Sequence, residues 1–558
     1  MQKIWKLRTP DKALQNILAH ELNISPVTAG LLVNRNITTP DAARNFLKPS
    51  LSQMHDTNLL PDIDKAAWRI QKALKNKEKV LIFSDYDADG LTALAVLKAA
   101  FNMLGLKHEH YLPHRLKEGY GLNLNFVKYA HQAGINLVVT LDCGISNFKE
   151  IEELKRLGID TVVVDHHQPQ DGKLPCAVAV VDPKRQDSKY PYSELAGVGL
   201  SYKLACHLLN DVLEDQLDLV SIGTVADVVP LLDENRIIVK EGLKKLNSSP
   251  HIGIKAILDV AGVKKELTTE HIGYIIGPRL NACGRIDSSE QALSLLICSL
   301  ESEAQELAKQ LHAKNLQRQR IESEIIEEAL QLAQNTDFSK NRVIVLHKDN
   351  WHKGVLGIVA SKIADRFYRP TVVISWENEL GKGSARSSAN FHLFEGLLKC
   401  AEHLQGFGGH KHAAGLSILR NDIDGFRESI NKVAFETLSA QDLIPALNVD
   451  LELKLADFDL DLVAQINMLA PFGQDNPKPL FASYGLEVRS KPLLQKKDTL
   501  KFWVSCGKFT YPAVGFRMGE YADLVSSSKA VDLVYRLSID TWQGNNQLQL
   551  EIEDIKPS

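Results

Sequence analysis

The stretch Val80-Leu-Ile-Phe-Ser-Asp-Tyr-Asp-Ala-Asp-Gly90 decides the fold of this chain. It is a short apolar run that ends in three aspartates and a glycine, and an amphipathic stretch from Leu91 to Leu104 follows it. This order predicts a strand, a turn and a helix. Two further apolar runs, Leu137–Leu141 and Thr161–Val164, flank a helical stretch at Asn147–Leu157. Strands that alternate with helices predict a parallel sheet covered on both faces.

Acidic residues follow the apolar runs at four places in this first α/β region. In an open parallel sheet, residues just past the carboxyl ends of the strands converge on one crevice. Adjacent strands are about 4.8 Å apart, so acids from four strand ends can surround one small volume. Oxygen ligands with one or two imidazoles suit Mn²⁺ or Mg²⁺. The four segments are Asp85-Tyr-Asp-Ala-Asp-Gly90, Leu141-Asp-Cys-Gly144, Asp165-His-His167 and Ala226-Asp227.

Each acidic segment alone has an ordinary structural explanation. Asp before Gly is common in turns, and Asp142 or Asp227 alone would more often cap a helix than bind a metal. A single histidine pair usually lies on the surface or in a satisfied core. Three acids within five residues repel one another unless a cation is present, and with all four segments at strand ends the pattern favours a metal site.

Composition excludes several other classes of protein. The 558 residues exceed one hydrophobic core, and the 44% hydrophobic and 24% charged content is typical of soluble proteins. No apolar run approaches the ~20 residues of a membrane span, and the N-terminal segment predicts no signal peptide. Seven cysteines without a CxxC pair argue against disulfides and structural zinc. We therefore expect a cytoplasmic protein without membrane attachment.

The rest of the chain divides by pattern. Thr39 and Pro40 predict the start of a helix in an N-terminal helical segment. A long polar helix at 301–334 either connects two lobes or caps a domain. Alternating strands after 446 predict a small barrel or sandwich, with an OB-fold among the candidates. The expected domains are an N-terminal helical segment at 1–60, the metal-binding α/β domain at 61–240, a helical linker at 241–335, a second α/β domain at 336–445 and an OB-like domain at 446–558.

Three segments of the second α/β region have the donors that a phosphate needs. One Gly-rich segment is usually a tight turn, but three within about 70 residues weaken that explanation. Residues 342–386 also contain eight Lys or Arg against four Asp or Glu, which indicates either a basic surface or an ordinary solvated face. The segments are Trp351-His-Lys-Gly-Val-Leu-Gly357 before a predicted helix, Gly383-Ser-Ala-Arg-Ser387, and the Gly-rich loop Gly406-Phe-Gly-Gly-His-Lys-His-Ala-Ala-Gly415.

The C-terminal region has aromatic and basic residues among its strands. In an OB-fold, aromatic residues either stack on bases or fill the barrel, and basic residues contact phosphates. The sequence leaves both uses open for each aromatic residue. The aromatic residues are Trp503, Phe509, Tyr511, Phe516 and Trp542, and the basic residues are Lys496, Lys497, Lys501, Lys508 and Arg517.

These motifs resemble those of the DHH phosphoesterase superfamily. The resemblance rests on the four acidic segments, on Gly223-Thr-Val-Ala-Asp-Val-Val-Pro-Leu231, and on Gly408–Gly415, which matches the GGHxxAAG loop of the DHH-associated domain. The segment Gly277-Pro-Arg-Leu-Asn-Ala-Cys-Gly-Arg-Ile286 resembles the linker motif of the superfamily's single-strand-specific DNA exonucleases. The implied fold is α/β: a DHH parallel-sheet domain and a DHH-associated α/β domain joined by a long helix, with a C-terminal OB-like β-barrel.

The resemblance also implies the site. Two Mn²⁺ or Mg²⁺ ions are expected, with Asp142 as the bridging ligand and with Asp165 orienting the histidines. Asp142, His166 and His167 are the expected catalytic residues, and His167 is either a ligand or a contact of the scissile phosphate. For any single arginine, a surface salt bridge is the alternative. The implied ligands are Asp85, Asp87, Asp89, Asp142, His166 and Asp227, and the implied substrate contacts are Arg115, Arg279, Arg285, His352, Ser384, Arg386, Gly409, His410 and His412.

The implied activity is two-metal hydrolysis of single-stranded DNA from 5′ to 3′, with release of 5′-mononucleotides in recombination and repair. The implied partners are single strands with a 5′ end, single-strand-binding protein and repair helicases. One alternative is a DHH phosphodiesterase for short oligonucleotides or cyclic dinucleotides, against which the linker motif and the C-terminal domain argue. The other is a non-catalytic DNA-binding protein on a degenerate DHH fold, against which the full set of acids argues.

Overall fold

The computed structural model describes residues 3–115, 117–387, 390–495, 497–540 and 546–558. The chain forms two compact units, each built from separate stretches. The terminal unit comprises Met1–Met54, Pro230–Lys240 and Pro445–Ser558, and the central unit comprises His55–Val229 and Glu241–Ile444. Within the described ranges, no helix is long and apolar enough to cross a membrane.

The chain begins with a strand, β1 (Ile4–Leu7), and three helices, α1 (Lys12–Leu22), α2 (Pro26–Val33) and α3 (Pro40–Leu47). Thr39 caps α3 through its side chain and Pro40 is the first helical residue, which confirms the predicted helix start. The strand was not expected in a helical segment. It pairs in parallel with residues 446–449, which lie far away in the sequence, and a local pattern cannot show a pairing over that distance.

The central unit starts with a parallel five-stranded sheet with the order β3-β2-β4-β5-β6. The three predicted strands are confirmed as β2, β4 and β5, whose residues are almost all buried, as expected for a sheet covered on both faces. The next two strands of the chain lie on opposite sides of β2, with β3 on one side and β4 on the other, so a crevice opens at their carboxyl ends. The elements are α4 (Ile63–Asn76), β2 (Val80–Ser84), α5 (Ala88–Met103), β3 (His108–Tyr111), α6 (Leu124–Gln132), β4 (Leu137–Leu141), α7 (Phe148–Arg156), β5 (Asp160–Val164), β6 (Ala179–Val181), α8 (Gly197–Leu209) and α9 (Leu217–Ala226).

A helical region follows. The linker motif 277–286 forms one helix, preceded by a π-helical turn at Ile272–Ile276. The predicted helix at 301–334 is confirmed, and it packs against the linker helices and against the second α/β region, as a connector does. The helices are α10 (Asp233–Ser248), α11 (Ile252–Ala261), α12 (Thr269–His271), α13 (Gly277–Ile286), α14 (Glu290–Leu296) and α15 (Glu301–Gln334).

The second α/β region contains a mixed five-stranded sheet with the order β10-β11-β9-β8-β7, in which only β7 and β8 are parallel. The predicted Gly-rich loop at 406–415 is wrong, because these residues form a hairpin of β10 and β11. Gly409 has a φ of 142°, and a Cβ at this position would lie 2.4 Å from the carbonyl oxygen of Ala413. The two strands of the hairpin therefore approach too closely at this point for any residue other than glycine. The elements are β7 (Ile344–Asp349), α16 (Leu356–Phe367), β8 (Thr371–Glu377), β9 (Leu380–Arg386), α17 (Leu393–Leu398), β10 (Gly406–Gly409), β11 (Ala413–Leu419) and α18 (Ile423–Thr437).

The C-terminal strands form a seven-stranded sheet with the order β13-β14-β18-β19-β17-β16-β15, and a further pairing of β14 with β16 joins the sheet to itself. The alternating segments 501–505, 531–537 and 548–552, which predict strands from the sequence, lie within β16, β18 and β19. The elements are β12 (Ala446–Val449), β13 (Leu451–Glu452), α19 (Leu460–Asn467), β14 (Phe481–Val488), β15 (Leu493–Gln495), β16 (Thr499–Cys506), β17 (Phe509–Gly515), α20 (Ala522–Ser527), β18 (Ala530–Asp540) and β19 (Gln547–Pro557).

A buried arginine ties together the three stretches of the terminal unit. Arg236 is 2% exposed, and its guanidinium lies 3.7 Å from the ring centre of Phe46. It donates to the carbonyl oxygens of Phe46 at 2.8 Å, Leu469 at 2.9 Å and Ala470 at 2.9 Å. The N-terminal helices and C-terminal strands also share one hydrophobic core. The terminal unit therefore contains segments that the sequence assigns to separate domains.

The aromatic residues of the C-terminal strands divide into two groups. Trp503 and Phe516 are 37% and 58% exposed, whereas Phe509 and Tyr511 are partly buried against the hydrophobic core. Trp542 and Lys496 lie outside the described residues. Among the described aromatic residues of this group, Trp503 and Phe516 are therefore the two whose rings are exposed enough to stack on a ligand.

Candidate active site

The turn after β2 presents three aspartates. Asp87 caps α5, and its carboxylate accepts hydrogen bonds from the backbone amides of Asp89 at 3.0 Å and Gly90 at 3.2 Å. A Cβ at Gly90 would lie 2.4 Å from the carbonyl oxygen of Asp85, so the turn requires glycine there. Asn281 of the linker motif accepts a hydrogen bond from the same turn at 2.8 Å. The linker helix therefore packs directly against the aspartates.

The N-terminus of α8 holds Asp89. Its carboxylate oxygens accept hydrogen bonds from the amides of Gly197 and Val198, both at 2.8 Å. Even so, burial and the charge of Asp87 raise the pKa of Asp89 to about 7. Burial and the repulsion between neighbouring carboxylates therefore raise this pKa more than the two amides at the helix N-terminus lower it.

Asp142 lies in the turn after β4 with a φ of 57°, in the left-handed region. Such a conformation in a residue other than glycine costs on the order of 1–3 kcal/mol and is concentrated at functional sites. The amide of Asp142 donates to Val164 at 3.0 Å, and its carbonyl accepts from the Tyr120 hydroxyl at 3.0 Å. A Cβ at Gly197 would lie 2.9 Å from the Cβ of Asp142. Three contacts thus hold Asp142 in place, one at its amide, one at its carbonyl and one at its Cβ, and we call these three contacts the clamp on Asp142.

Asp165 orients the histidine pair after β5, as predicted. Its Oδ1 accepts from the amides of His166 at 2.8 Å and His167 at 3.2 Å, and lies 2.7 Å from His167 Nδ1. Its Oδ2 accepts from the amide of Ile145 at 2.9 Å. Burial would lower the pKa of His167, but the hydrogen bond and charge of Asp165 outweigh it and raise that pKa to about 9.

The acids and imidazoles converge on one small volume, which we call the acidic cluster. His166 Nε2 lies 3.2 Å from Asp142 Oδ1, 3.5 Å from Asp227 Oδ2 and 3.9 Å from Asp89 Oδ2. Within each of three groups, one ligand atom per residue lies within 4.8 Å of the others: Asp142 with His166 and His167, Asp89 with His166 and Asp227, and Asp85 with Asp87 and Asp142. All six expected ligands occur in these overlapping groups. The predicted position of Asp227 at a strand end is wrong, because Asp227 directly follows helix α9.

The cluster fits divalent cations. Asp85 Oδ1 and His166 Nε2 are buried and have no hydrogen-bond partner among the described residues, which is costly unless a ligand satisfies them. Burial and neighbouring carboxylates raise the pKa of Asp85 and Asp142 well above its usual range. Burial, with the charge of His167, lowers the pKa of His166 to about 3, so this imidazole is neutral and retains a lone pair for a metal. Bound cations would relieve both the repulsion and the unsatisfied atoms.

Three arginines form a second like-charge group, the arginine cluster: Arg115 after β3, Arg285 in α13 and Arg386 at the end of β9. Burial lowers the pKa of Arg285 to about 10, and the charges of Arg115 and Arg386 act in the same direction. The pKa of Arg386 is lowered by burial and by Arg115. Arg115 lies 5.0 Å from the ring centre of Tyr86, which belongs to the aspartate turn. In the part of the chain that the structure describes, none of the three arginines forms an ion pair.

The start of α16 packs against these arginines. Arg285 donates to the carbonyl of Gly354 at 3.2 Å, and Arg386 donates to Ser384 Oγ at 3.1 Å. A Cβ at Gly357 would lie 2.8 Å from Arg386 Nη2. His352 accepts from the amide of Gly354 at 3.2 Å and caps the turn that leads into α16. Arg285, Ser384 and Arg386 thus lie at the helix start, as expected for an anion site, and Arg115 is linked to the two arginines through the effect of its charge on their pKa values.

The other predicted substrate contacts are placed differently. The hairpin turn that follows Gly409 carries His410 and His412. Burial and the charge of His167 lower the pKa of His410. Arg279 instead donates to the carbonyl of Ile275 at 2.8 Å and lies 3.1 Å from His312 Nδ1, within the helical region. These bonds give Arg279 a helix-packing role, and the structure does not bring it to the arginine cluster.

Sequence reasoning missed three residues of this site. Asp182 is fully buried directly after β6, so the rule of acids at strand ends would have found it had the short run at 179–181 been read as a strand. Lys184 lies two residues further on, and its charge contributes to the low pKa of His166. Tyr120 has no such signal, because it lies in a turn between two glycines.

Comparison with known proteins shows which families have sequences similar to this chain. Three family models match the chain: the DHH family N-terminal domain at residues 79–224, the DHHA1 domain at 340–436 and the RecJ OB domain at 449–554. The chain is 38% identical over 559 residues to the single-stranded-DNA-specific exonuclease RecJ of Bacillus subtilis strain 168, an alignment that covers 99% of this chain and 71% of that protein.

Solved structures agree with this similarity. The crystal structure of RecJ in complex with Mn²⁺ from Thermus thermophilus matches with a TM-score of 0.86 and 27% identity, over 100% of this chain and 80% of that chain. The structure of RecJ in complex with Mg²⁺ from the same organism matches with a TM-score of 0.80 and 25% identity, over 100% and 79%.

Proposed function

The chain belongs to the RecJ family of single-stranded-DNA-specific exonucleases, and on that premise we propose that it hydrolyses phosphodiester bonds of single-stranded DNA with Mn²⁺ or Mg²⁺. The observation that carries the proposal is the acidic cluster, in which six expected ligands lie in overlapping groups and two ligand atoms are buried without partners among the described residues. The match to the RecJ OB domain argues against an enzyme for short oligonucleotides or cyclic dinucleotides.

We propose that Asp85, Asp87, Asp89, Asp142, His166 and Asp227 hold the two ions. When bound, such ions lower the pKa of water and neutralise charge that develops on the scissile phosphate. Asp142 belongs to two of the ligand groups and its carboxylate has two oxygens, so this residue would serve both ions, whereas His166 would offer the single lone pair of Nε2 to one of them. The hydrogen bonds to Asp89 and the clamp on Asp142 keep their carboxylates in position before any ion binds.

For His167 we propose a contact with the scissile phosphate rather than with a metal. Its Nδ1 lies 2.7 Å from Asp165 Oδ1, and this hydrogen bond stabilises the protonated ring. A ring protonated on both nitrogens has no lone pair for a metal, but its Nε2 donates a hydrogen bond to a phosphate oxygen.

The arginine cluster supports recognition of the strand end. Arginine binds phosphate through two parallel hydrogen bonds, and Arg115, Arg285 and Arg386 form no ion pair among the described residues. A 5′-phosphate held there would set the 5′→3′ direction. Arg115 lies over Tyr86 in the aspartate turn, so cleavage close to the bound end would release 5′-mononucleotides.

We propose that each region has its own role. Residues 61–240 carry out the hydrolysis, and residues 241–335 link the two α/β regions. Residues 336–445 bind the 5′ end of the DNA strand, and residues 446–558 bind nucleotides further along it. The exposed rings of Trp503 and Phe516 are the candidates for stacking on bases. By family membership we further propose a cytoplasmic role in recombination and repair, alongside single-strand-binding protein and repair helicases.

The test compares single strands labelled at the 5′ end or at the 3′ end, with Mn²⁺, beside a blunt duplex and a reaction with EDTA. We expect the 5′ label to appear at once as a mononucleotide, the 3′-labelled strand to shorten gradually, and no cleavage of the duplex or without metal. The reverse label pattern would contradict the polarity, and intact single strands would contradict the function itself.

A further inference from the structure

Tyr120 reaches the active site from an exposed turn. The residue is 51% exposed and lies between Gly119 and Gly121, whose φ values are 83° and 76°. A Cβ at Gly121 would lie 2.7 Å from Asn147 Oδ1, so this turn requires glycine after the tyrosine. Core packing therefore does not hold the Tyr120 ring in place, and its hydroxyl contacts inside the site need another explanation.

The first contact is with the strained metal ligand. The Tyr120 hydroxyl donates to the carbonyl oxygen of Asp142 at 3.0 Å. The left-handed φ of Asp142 persists only if its surroundings enforce it. The amide of Asp142 is held by the neighbouring strand, whereas its carbonyl is held by this hydroxyl. Without the hydroxyl, the carbonyl of Asp142 loses its hydrogen bond, and the strained turn that carries the carboxylate is held less firmly.

The second contact is with the histidine that faces the substrate. The Tyr120 oxygen lies 3.1 Å from His167 Nδ1, beside the 2.7 Å contact of that nitrogen with Asp165. Since the hydroxyl proton is donated to Asp142, the phenol oxygen is an acceptor towards His167. The two rings also meet edge to face, with centroids 5.6 Å apart and an angle of 66°. Tyr120 thus restricts the rotation of the imidazole and directs its Nε2 away from Asp165.

We propose that Tyr120 is a positioning residue that fixes Asp142 and His167 at the same time through one hydroxyl group. This inference rests on the proposed function, because it assigns a role within the same site. Tyr120 acts on the arrangement of the site rather than on the affinity for the strand. Loss of its hydroxyl therefore lowers kcat and weakens metal binding, while KM for DNA stays nearly constant.

The test is Tyr120→Phe, which keeps the ring and removes both hydroxyl contacts. Tyr129→Phe is the matched control, because Tyr129 is 41% exposed and its hydroxyl has no hydrogen-bond partner among the described residues. Loss of a hydrogen bond of about 1.4 kcal/mol corresponds to about tenfold in rate. We expect kcat to fall about tenfold or more in Tyr120→Phe, with KM for a single strand within about twofold.

Mn²⁺ binding without DNA is measured separately, from the electron paramagnetic resonance signal of free Mn²⁺. We expect half-saturation to require at least about threefold more Mn²⁺ in Tyr120→Phe, with a melting temperature within about 2 °C of wild type. A kcat within twofold of wild type, an unchanged Mn²⁺ titration, or equal losses in Tyr129→Phe would overturn the proposal. A wild-type protein that fails to cut single strands contradicts the proposed function, whereas the Mn²⁺ titration still decides the role of Tyr120.

Discussion

The acidic cluster and the arginine cluster are opposite in charge and alike in construction. In the acidic cluster, burial and mutual repulsion raise the pKa of Asp85 and Asp142, so their charged forms are destabilised. In the arginine cluster, burial and mutual repulsion lower the pKa of Arg285 and Arg386, with the same consequence. Each cluster is electrostatically unfavourable alone and favourable with a ligand of the opposite sign.

The two clusters differ in how the chain builds them. Most of the acids follow neighbouring strands of one sheet, so the sheet alone brings them together. The three arginines come from the turn after β3, the linker helix and the second sheet, so their meeting depends on packing between regions. We infer that the acidic cluster serves the chemical step and the arginine cluster serves recognition of the strand end, and the predictions below test that division.

The largest expected effect is that of Asp142→Ala. Removal of a residue shared by two ligand groups should lower kcat by about a thousandfold or more, with single-strand binding largely retained. Turnover with excess Mn²⁺ is measured in parallel with the affinity for a labelled strand. Activity within tenfold of wild type would remove Asp142 from the centre of the acidic cluster.

Arg386→Ala should instead act on the strand end. We expect the wild type to prefer 5′-phosphorylated over 5′-hydroxyl strands, and the variant to lose about tenfold or more of that preference, because arginine binds phosphate through two parallel hydrogen bonds and Arg386 has no ion-pair partner among the described residues. The measurement is the ratio of kcat/KM for the two substrates. The same ratio in both proteins would break the division of roles between the clusters.

Thermal unfolding tests whether repulsion among its carboxylates destabilises the acidic cluster in the absence of a cation. Saturation at about a hundredfold above Kd stabilises a folded protein by about 2.7 kcal/mol, so Mn²⁺ should raise the melting temperature of wild type by several degrees. Asp142→Asn should raise the melting temperature of the metal-free protein, since it removes one charge from the repelling group, and should reduce the effect of Mn²⁺. If Asp142→Asn lowers the metal-free melting temperature, repulsion among the carboxylates does not govern the stability of the metal-free protein.

The smallest expected effect concerns Asp182, an acid at a strand end outside the ligand groups. Burial raises its pKa to about 7, above the value of about 3.9 for an unfolded chain. The folded state therefore binds the proton more tightly, and stability falls as the pH rises from about 4 to about 7. At pH 8, Asp182→Asn should raise the melting temperature by on the order of 2 °C. The exposed Asp171→Asn is the control, and equal shifts in both variants would show that burial of Asp182 is not the cause.

The sequence was sufficient to predict strands and metal ligands wherever the ligand lies within a few residues of the strand that positions it. Apolar runs located β2, β4 and β5, and the residues behind them gave five of the six expected ligands. The prediction failed for Asp182 because its strand is only three residues long. Tyr120 could not be predicted, since its importance comes from Asp142 and His167, which a turn sequence does not reveal.

Pairing between strands that the local sequence pattern does not reveal also limited the prediction of the fold. Hairpin pairing of 406–409 with 414–417 turned an expected loop into strands, and parallel pairing of β1 with β12 placed a strand in a segment expected to be helical. Deletion of 446–558 would remove much of the core against which the N-terminal helices pack. Substitution of the exposed Trp503 or Phe516 is therefore the sounder way to examine this region.

The composition of the terminal unit has a consequence during protein synthesis. The ribosome makes Phe46 first, Arg236 later, and the carbonyl groups of Leu469 and Ala470 last of the three contacts. At about 5–20 residues per second, the first helices wait roughly 20–80 s for the strands that cover them. The central unit can fold during that interval, but the apolar faces of α1–α3 stay uncovered. We expect the nascent chain to need a chaperone at its N-terminal segment, and to release it only after the last strands have left the ribosome.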